Sequence, residues 1–185
     1  IDMLSETREA LAKLSPLAGE ASLELQLDAD ESEDWRLTTE PGCIDTLVQN
    51  LVGNALHHSP AGSTVRVALS VEPSTASAAE PDARHRATPK PGNGTDKGIG
   101  RRHASPHFTL IVDDQGPGIP AAERRKVIER FHRAGPGAGA GLGLSIVDRL
   151  VQRHGGELAL ESAPQGGLRV RVVLPQEAIH PFPEN

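Results

Sequence analysis

Residues 42–58, GCIDTLVQNLVGNALHH, carry the pattern that decides the fold. Apolar side chains recur every three or four residues, which predicts a helix with one buried stripe. Asn50 and Asn54 lie one turn apart on it, and His57 follows one turn later. Asparagine is a poor helix former, and its amide oxygen is a hard ligand suited to Mg²⁺. The pair therefore indicates either a polar site or two exposed, locally capped side chains.

Strands and further helices are predicted on both sides of this helix. Alternation of apolar and polar residues predicts strands at 22–29, 34–39, 64–71, 108–114, 157–162 and 168–175. Helical spacing predicts helices at 2–18, ending near Pro16, and at 121–131 and 142–154. Gln165-Gly166-Gly167 joins the last two strands into a hairpin. The pattern predicts an α/β fold, a two-layer α/β sandwich with a mixed sheet and helices on one face.

Residues 72–107 differ from the rest of the chain, being rich in Pro, Gly, Ser, Ala, Thr and Asn. Such a segment buries too little apolar surface to offset its ordering entropy. We interpret it as a low-complexity insertion in a catalytic domain at 19–176, with a tail at 177–185. Its Lys and Arg residues would suit a docking role, and the alternative is a solvated loop without one.

A carboxylate and two glycines follow the strand at 108–114, in the run Asp113-Asp114-Gln-Gly116-Pro-Gly118-Ile119. A carboxylate at a strand end can accept a hydrogen bond from an exocyclic amine, and glycines let the backbone pass close to a flat ligand. The alternative is a tight turn that needs glycine for its dihedral angles.

A second glycine run, Gly139-Ala-Gly141-Leu-Gly143-Leu-Ser145, leads into the predicted helix at 142–154. Free amides and the dipole at a helix start suit a phosphate, and the alternative is a flexible hinge. The run matches neither the P-loop pattern nor the Rossmann fingerprint.

Four segments taken in chain order resemble the N, G1, F and G2 boxes of sensor histidine kinases. The resemblance covers about residues 20–175 apart from the insertion, and the family has the Bergerat (GHKL) α/β sandwich fold. The matching segments are LVQNLVGNALHHSP at 47–60, Asp114-Gln-Gly116-Pro-Gly118, Phe131-His-Arg133 and Gly139-Ala-Gly141-Leu-Gly143-Leu144.

The resemblance implies an ATP·Mg²⁺ site. Asp114 would bind the adenine amino group, and Gly116, Gly118 and Ile119 would line the base. Asn54 would hold Mg²⁺, and Asn50, His57 and Arg133 would act on the phosphates as catalytic residues. Residues 133–140 would form a lid over the nucleotide, and Phe131 would pack under it. Gly141, Leu142 and Gly143 would close on the phosphates, and Gly139 and Leu144 would also contribute to nucleotide binding.

The resemblance also implies transfer of the ATP γ-phosphate to a histidine, with a response regulator downstream and a homodimeric parent in the bacterial inner membrane. This chain would be its cytoplasmic catalytic part. No histidine here lies in the family's acceptor pattern, so we expect the acceptor on a domain outside this chain. Residues 1–18 are either the end of that acceptor hairpin or a local helix. His57 replaces the Lys or Arg usual in the family, which reduces the charge offered to phosphates.

Other functions on this fold stay open at this point. They are a nucleotide-binding regulatory module with weak catalysis, an anti-sigma-factor serine kinase, and an ATPase of the gyrase or chaperone type. Asn50 replaces the glutamate that activates water in the hydrolysing relatives, and an amide cannot act as that base.

Composition is that of one soluble domain of 185 residues, with 37% apolar and 24% charged residues. The net charge of -6 argues against nucleic acid as the main partner. The single cysteine, Cys43, fits a reducing compartment and a small buried position at a helix start, with a reactive thiol as the alternative. No apolar run approaches the ~20 residues of a membrane span.

Overall fold

The computed structural model describes residues 1–72, 106–128 and 143–177. These residues form a mixed five-stranded sheet and four helices, which confirms the predicted fold class. In chain order the elements are α1 (Met3–Glu20), β1 (Glu24–Asp28), α2 (Cys43–His58), β2 (Thr64–Glu72), β3 (His107–Asp113), α3 (Ala121–Ile128), α4 (Gly143–Arg153), β4 (Glu157–Ser162) and β5 (Leu168–Pro175).

The strand order in the sheet is β1-β2-β3-β5-β4. β1 pairs with β2 in parallel, and the other three pairs are antiparallel. Every second residue of the three central strands is buried against the helices. Burial of each such Val, Leu or Phe side chain stabilises the fold by about 1.5–3 kcal/mol. The buried residues of this face are Val65, Val67, Leu69, Phe108, Leu110, Val112, Val170, Val172 and Leu174.

Helix α2 lies at the centre of the helical layer, where it packs against α1, α4 and the strands β2 and β3. It begins after Gly42, whose φ of 78° is in the left-handed region, and its buried stripe is the predicted one. Cys43 in its first turn is buried, as expected for a small residue there, and burial is the main cause that raises the pKa of its thiol.

Helix α1 is longer than predicted, because Pro16 lies inside it and the helix continues to Glu20. Pro16 and Leu17 are exposed, so the ring faces solvent, while Ala18 is buried and its carbonyl accepts from the Leu23 N–H at 2.9 Å. Packing of this last turn outweighs the hydrogen bond that proline removes. The buried face of α1 contacts α2 and β1. That residues 1–18 are the end of an acceptor hairpin stays a prediction.

The strand predicted at 34–39 is wrong, since only the isolated bridge between Asp2 and Arg36 forms there. The segment pairs with the first three residues of the chain, through Met3 N–H to Trp35 O at 2.9 Å and Leu37 N–H to Ile1 O at 3.0 Å. Trp35 and Leu37 are both buried, so alternation predicted the buried side chains correctly. On the side of Met3 the pairing stops because helix α1 begins there.

The remaining predicted boundaries differ by a few residues. β2 ends at Glu72 and β3 begins at His107, and the rest of the predicted insertion, 73–105, lies outside the described residues. Within the described ranges, no helix combines the length and apolar character needed to span a membrane.

Candidate functional site

Asp114 is a buried carboxylate directly after β3, with 7% of its surface exposed. Its Oδ1 accepts hydrogen bonds from the Gly116 N–H at 2.9 Å and the Leu168 N–H at 3.0 Å. Its own N–H donates to the Leu168 carbonyl at 3.0 Å. The side chain is therefore fixed both by its own loop and by β5, and neither side-chain bond uses Oδ2.

The preceding carboxylate, Asp113, points to the opposite face of the sheet. There it forms a two-point ion pair with Arg169, with both N···O distances at 2.7 Å. The hydrogen bonds to Asp113 raise the pKa of the Arg169 guanidinium. Of the two consecutive aspartates, only Asp114 is on the side of the helices.

The glycines after Asp114 are needed for contacts inside the protein. A Cβ at Gly116 would lie 2.7 Å from the His58 carbonyl oxygen at the end of α2. Gly118 has a φ of +70°, and a Cβ there would lie 3.1 Å from the Gly167 carbonyl oxygen. These approaches hold the loop against α2 on one side and the β4–β5 hairpin on the other.

The two asparagines of α2 meet the first residue of α4. The Asn50 Nδ2 donates to the Thr46 carbonyl at 2.8 Å, which directs its Oδ1 away from the helix backbone. A Cβ at Gly143 would lie 2.9 Å from Asn54 Nδ2 and 3.4 Å from Asn50 Oδ1. The start of α4 can approach the amides this closely because residue 143 has no side chain. Leu144, the next residue, belongs to the core.

His57 and His58 end α2 beside the Asp114 loop. Both are exposed, and their rings meet edge to face with centroids 4.9 Å apart. Partial burial of its ring lowers the pKa of His58, the charge of His57 lowers it further, and Asp114 opposes both. The structure thus places His57 one turn after Asn54, as predicted, but does not test its action on a phosphate.

The remaining predicted site residues divide into two groups. Ile119 is half-buried, and its carbonyl accepts from Arg124 Nε at 3.0 Å. Phe131, Arg133, Gly139, Gly141 and Leu142 lie outside the described residues.

Sequence reasoning missed the contribution of the β4–β5 hairpin. Gly167 has a φ of +89°, and a Cβ there would lie 2.2 Å from the Asp114 carbonyl oxygen. The sequence predicts only a turn at Gly166-Gly167, whereas the second glycine also makes room for Asp114. The doubled glycine was the available signal.

Comparison with known proteins gives a family match over most of the chain. A family model described as histidine kinase-, DNA gyrase B-, and HSP90-like ATPase matches residues 40–178. The chain is 32% identical over 165 residues to the signal transduction histidine-protein kinase AfsQ2 of Streptomyces coelicolor. That alignment covers 87% of this chain and 24% of AfsQ2, so the chain spans about a quarter of the relative.

Solved structures give the same fold. The mycobacterial sensor histidine kinase MprB matches with a TM-score of 0.64 and 28% identity, over 97% of each chain. Full-length ShkA in complex with AMPPNP matches with a TM-score of 0.67 and 23% identity, over 95% of this chain and 30% of ShkA. The likeness to ShkA shows the fold, and the bound nucleotide is that protein's.

Proposed function

This chain belongs to the family of histidine kinase-, DNA gyrase B- and HSP90-like ATPases, and we propose that it transfers the γ-phosphate of ATP to a histidine outside these 185 residues. It is the ATP-binding catalytic domain of a sensor histidine kinase. The observation that carries the proposal is that α2 contacts two different elements. Gly116 lies against its end, and Gly143 lies against Asn50 and Asn54. A base-binding loop and a phosphate-binding helix start thus share one helix.

We assign recognition of adenine to Asp114. Its Oδ1 is already held by two backbone N–H groups, so Oδ2 can accept a bond from the exocyclic amine of the base. Burial strengthens that bond, because water competes less for the carboxylate. Gly116, Gly118 and Ile119 would lie along the base.

We assign the phosphate end to the amide pair and the start of α4. The free N–H groups and dipole of a helix start favour an anion. Mg²⁺ fits this position, since Asn54 and Asn50 offer neutral oxygen ligands and triphosphate would supply the anionic ones. Within the described residues no group of three His, Cys, Asp or Glu side chains could hold a metal instead. A bound Mg²⁺ would neutralise charge on the phosphates.

In the proposed reaction the γ-phosphorus leaves the bridging oxygen of ADP and bonds to an imidazole nitrogen. Such transfer depends mainly on positioning and charge neutralisation. Asn50 has no basic form at neutral pH, so it cannot deprotonate water, which favours transfer over hydrolysis. Arg133, His57 and the glycines from Gly139 to Gly143 are proposed to act on the phosphates.

The proposed partners follow from the family. They are an acceptor and dimerisation domain of a homodimeric parent and, downstream, a response regulator. The parent is proposed to be anchored in the bacterial inner membrane, with this chain on the cytoplasmic side.

The first test is nucleotide binding. We expect ATP to bind more tightly with Mg²⁺ than without it in titration calorimetry, and Asp114→Ala to abolish measurable binding. Asp113→Ala is the matched control, because that carboxylate faces away from the site. Unchanged ATP affinity in Asp114→Ala would remove this residue from the site.

The second test is phosphate transfer. The chain alone should label itself negligibly with γ-labelled ATP, and adding the acceptor domain of its parent should produce histidine labelling. Steady hydrolysis without an acceptor would instead indicate an ATPase of the gyrase type. Binding without transfer to the acceptor would indicate a regulatory module.

A further inference from the structure

Arg124, in the first turn of α3, connects the end of the Asp114 loop to strand β4. Its Nε donates to the Ile119 carbonyl at 3.0 Å, and its Nη2 donates to the Ser162 hydroxyl at 2.8 Å. A longer contact of 3.4 Å joins Nη1 to the Leu160 carbonyl. One half-buried side chain thus contacts two parts of the fold that are some forty residues apart in sequence.

The acceptors of Arg124 are two backbone carbonyls and a hydroxyl, all uncharged. Within the described ranges, Arg124 forms no ion pair with a carboxylate. The guanidinium presents its donors in a rigid planar fork, which suits several acceptors at fixed positions. The arrangement therefore fixes geometry, with no charge neutralisation involved.

The hairpin to which Arg124 connects the loop also holds the other end of that loop. Leu168 at the start of β5 binds the Asp114 carboxylate, and Gly118 lies against Gly167 in the turn. The loop is thus held at its start by β5 and at its end, Ile119, by Arg124 through β4. Loss of the second attachment would free the loop from Gly116 to Ile119 to shift relative to Asp114.

We propose that Arg124 is a positioning residue that sets the preference of the site for adenine without touching the nucleotide. The inference rests on the proposed function, since it assumes that the base lies along this loop. A freed loop would widen the space beside Asp114, and discrimination between bases would then decrease. Phosphate contacts at Asn54 and Gly143 lie on other elements and would remain.

The experiment compares Arg124→Met with Arg125→Met in the full 185-residue chain. Methionine retains much of the apolar stem and lacks the donors, and Arg125 is an exposed neighbour on the same helix. Dissociation constants for ATP and GTP are measured by competition, and thermal unfolding is followed in parallel. For Arg124→Met we expect ATP affinity to fall about tenfold and GTP affinity by less than about twofold, as loss of hydrogen bonds to a charged donor implies. Arg125→Met should match the wild type.

Two further variants test the hydrogen bonds individually. Arg124→Lys has one compact ammonium group that cannot serve both Ile119 and Ser162, so it should resemble Arg124→Met. Ser162→Ala removes only one acceptor at an exposed position and should lower ATP affinity about threefold. If Arg124→Met does not fold, these two variants decide by the same comparison of ATP with GTP.

The outcomes distinguish a failure of the proposed role of Arg124 from a failure of the proposed function. If the wild type binds no ATP, the proposed function falls and this inference falls with it. If the wild type binds ATP and Arg124→Met keeps its affinity and base preference, only the role of Arg124 is overturned. A parallel loss for ATP and GTP with a lower unfolding temperature would also overturn it, because that is the effect of a purely structural residue.

Discussion

Replacing Gly167 by alanine should weaken both the fold and nucleotide binding, because this glycine lies against Asp114. Its φ of +89° is in the left-handed region, and a Cβ there would lie 2.2 Å from the Asp114 carbonyl oxygen and 2.7 Å from Oδ1. Gly166 has the same φ of +89° and nothing within 4 Å of its Cβ position. Gly166→Ala is therefore a matched control with the same backbone strain and no collision.

The structure gives a magnitude for each variant. A left-handed conformation costs an L residue about 1–2 kcal/mol, which both variants should show. Ordinary contact begins at 3.4 Å, so alanine at 167 must displace the Asp114 carbonyl by about 1.2 Å (3.4 − 2.2 Å). Overpacking of this kind adds about 1–3 kcal/mol, for a total loss of about 2–5 kcal/mol in Gly167→Ala. Because a shift of about 1 Å misplaces the carboxylate, we expect ATP affinity to fall at least about tenfold in this variant alone.

The assay is urea unfolding followed by fluorescence of Trp35, together with calorimetric titration of ATP. Trp35 is the single tryptophan of the chain, and it is 3% exposed beside Phe108, so its emission reports loss of the core. Equal unfolding free energies and equal ATP affinities for the two alanine variants would refute the argument that Gly167 leaves room for Asp114.

Three further predictions concern single side chains. Asn54→Ala should remove the Mg²⁺-dependent part of ATP affinity, a loss of about tenfold or more, while the unfolding curve stays near that of the wild type. The control is Gln49→Ala, since Gln49 carries an exposed amide on the same helix. Unchanged Mg²⁺-dependent ATP affinity in Asn54→Ala would exclude the metal role. Folding lowers the pKa of His58 from its usual value of 6.5, so the free energy of unfolding should decrease as the pH falls from 6.5 through the lowered pKa. Unfolding free energies at pH about 7.5 and about 5.5 should therefore differ less in His58→Gln than in the wild type, and an equal difference would contradict this. Since Cys43 is 3% exposed and burial raises the pKa of its thiol, iodoacetamide should alkylate the native chain far more slowly than the urea-unfolded chain, as mass spectrometry would show; equal rates would place the thiol at the surface.

The parts of the fold that sequence could predict are those fixed by local burial. The apolar stripe of α2 and the alternation of apolar and polar residues in β2, β3 and β5 depend on which side of each element faces the core. That periodicity can be seen directly in the order of the residues. Residues 34–39 show the limit of this reasoning. Trp35 and Leu37 alternate as in a strand, but a ladder also needs a partner strand, and the segment facing them becomes helix α1 at Met3.

Sequence can indicate a candidate site where a residue type is unusual for its element, as with Asn50 and Asn54 on an apolar helix, and their binding role stays a prediction. The site was not predictable where the important contact joins distant backbone. The approach of Gly167 to Asp114 depends on how two strands are paired, and the acceptors of Arg124 include carbonyl groups that every residue has. Contacts of this kind leave no side-chain signature in one sequence.

The register of β2 and β3 also affects how this domain can vary in length. Glu72 pairs with His107 at one end of the two strands, and Arg66 pairs with Asp113 at the other end, beside the site. At about 3.4 Å per residue, the six steps from His107 to Asp113 put about 20 Å of central strand between the two ends. Loop-closure entropy grows only with the logarithm of loop length, so added chain between Glu72 and His107 costs little. Sequence between Glu72 and His107 can therefore be gained or lost in evolution, or carry a fused reporter, and the two residues to which it is attached lie at the far end of the sheet from Asp114.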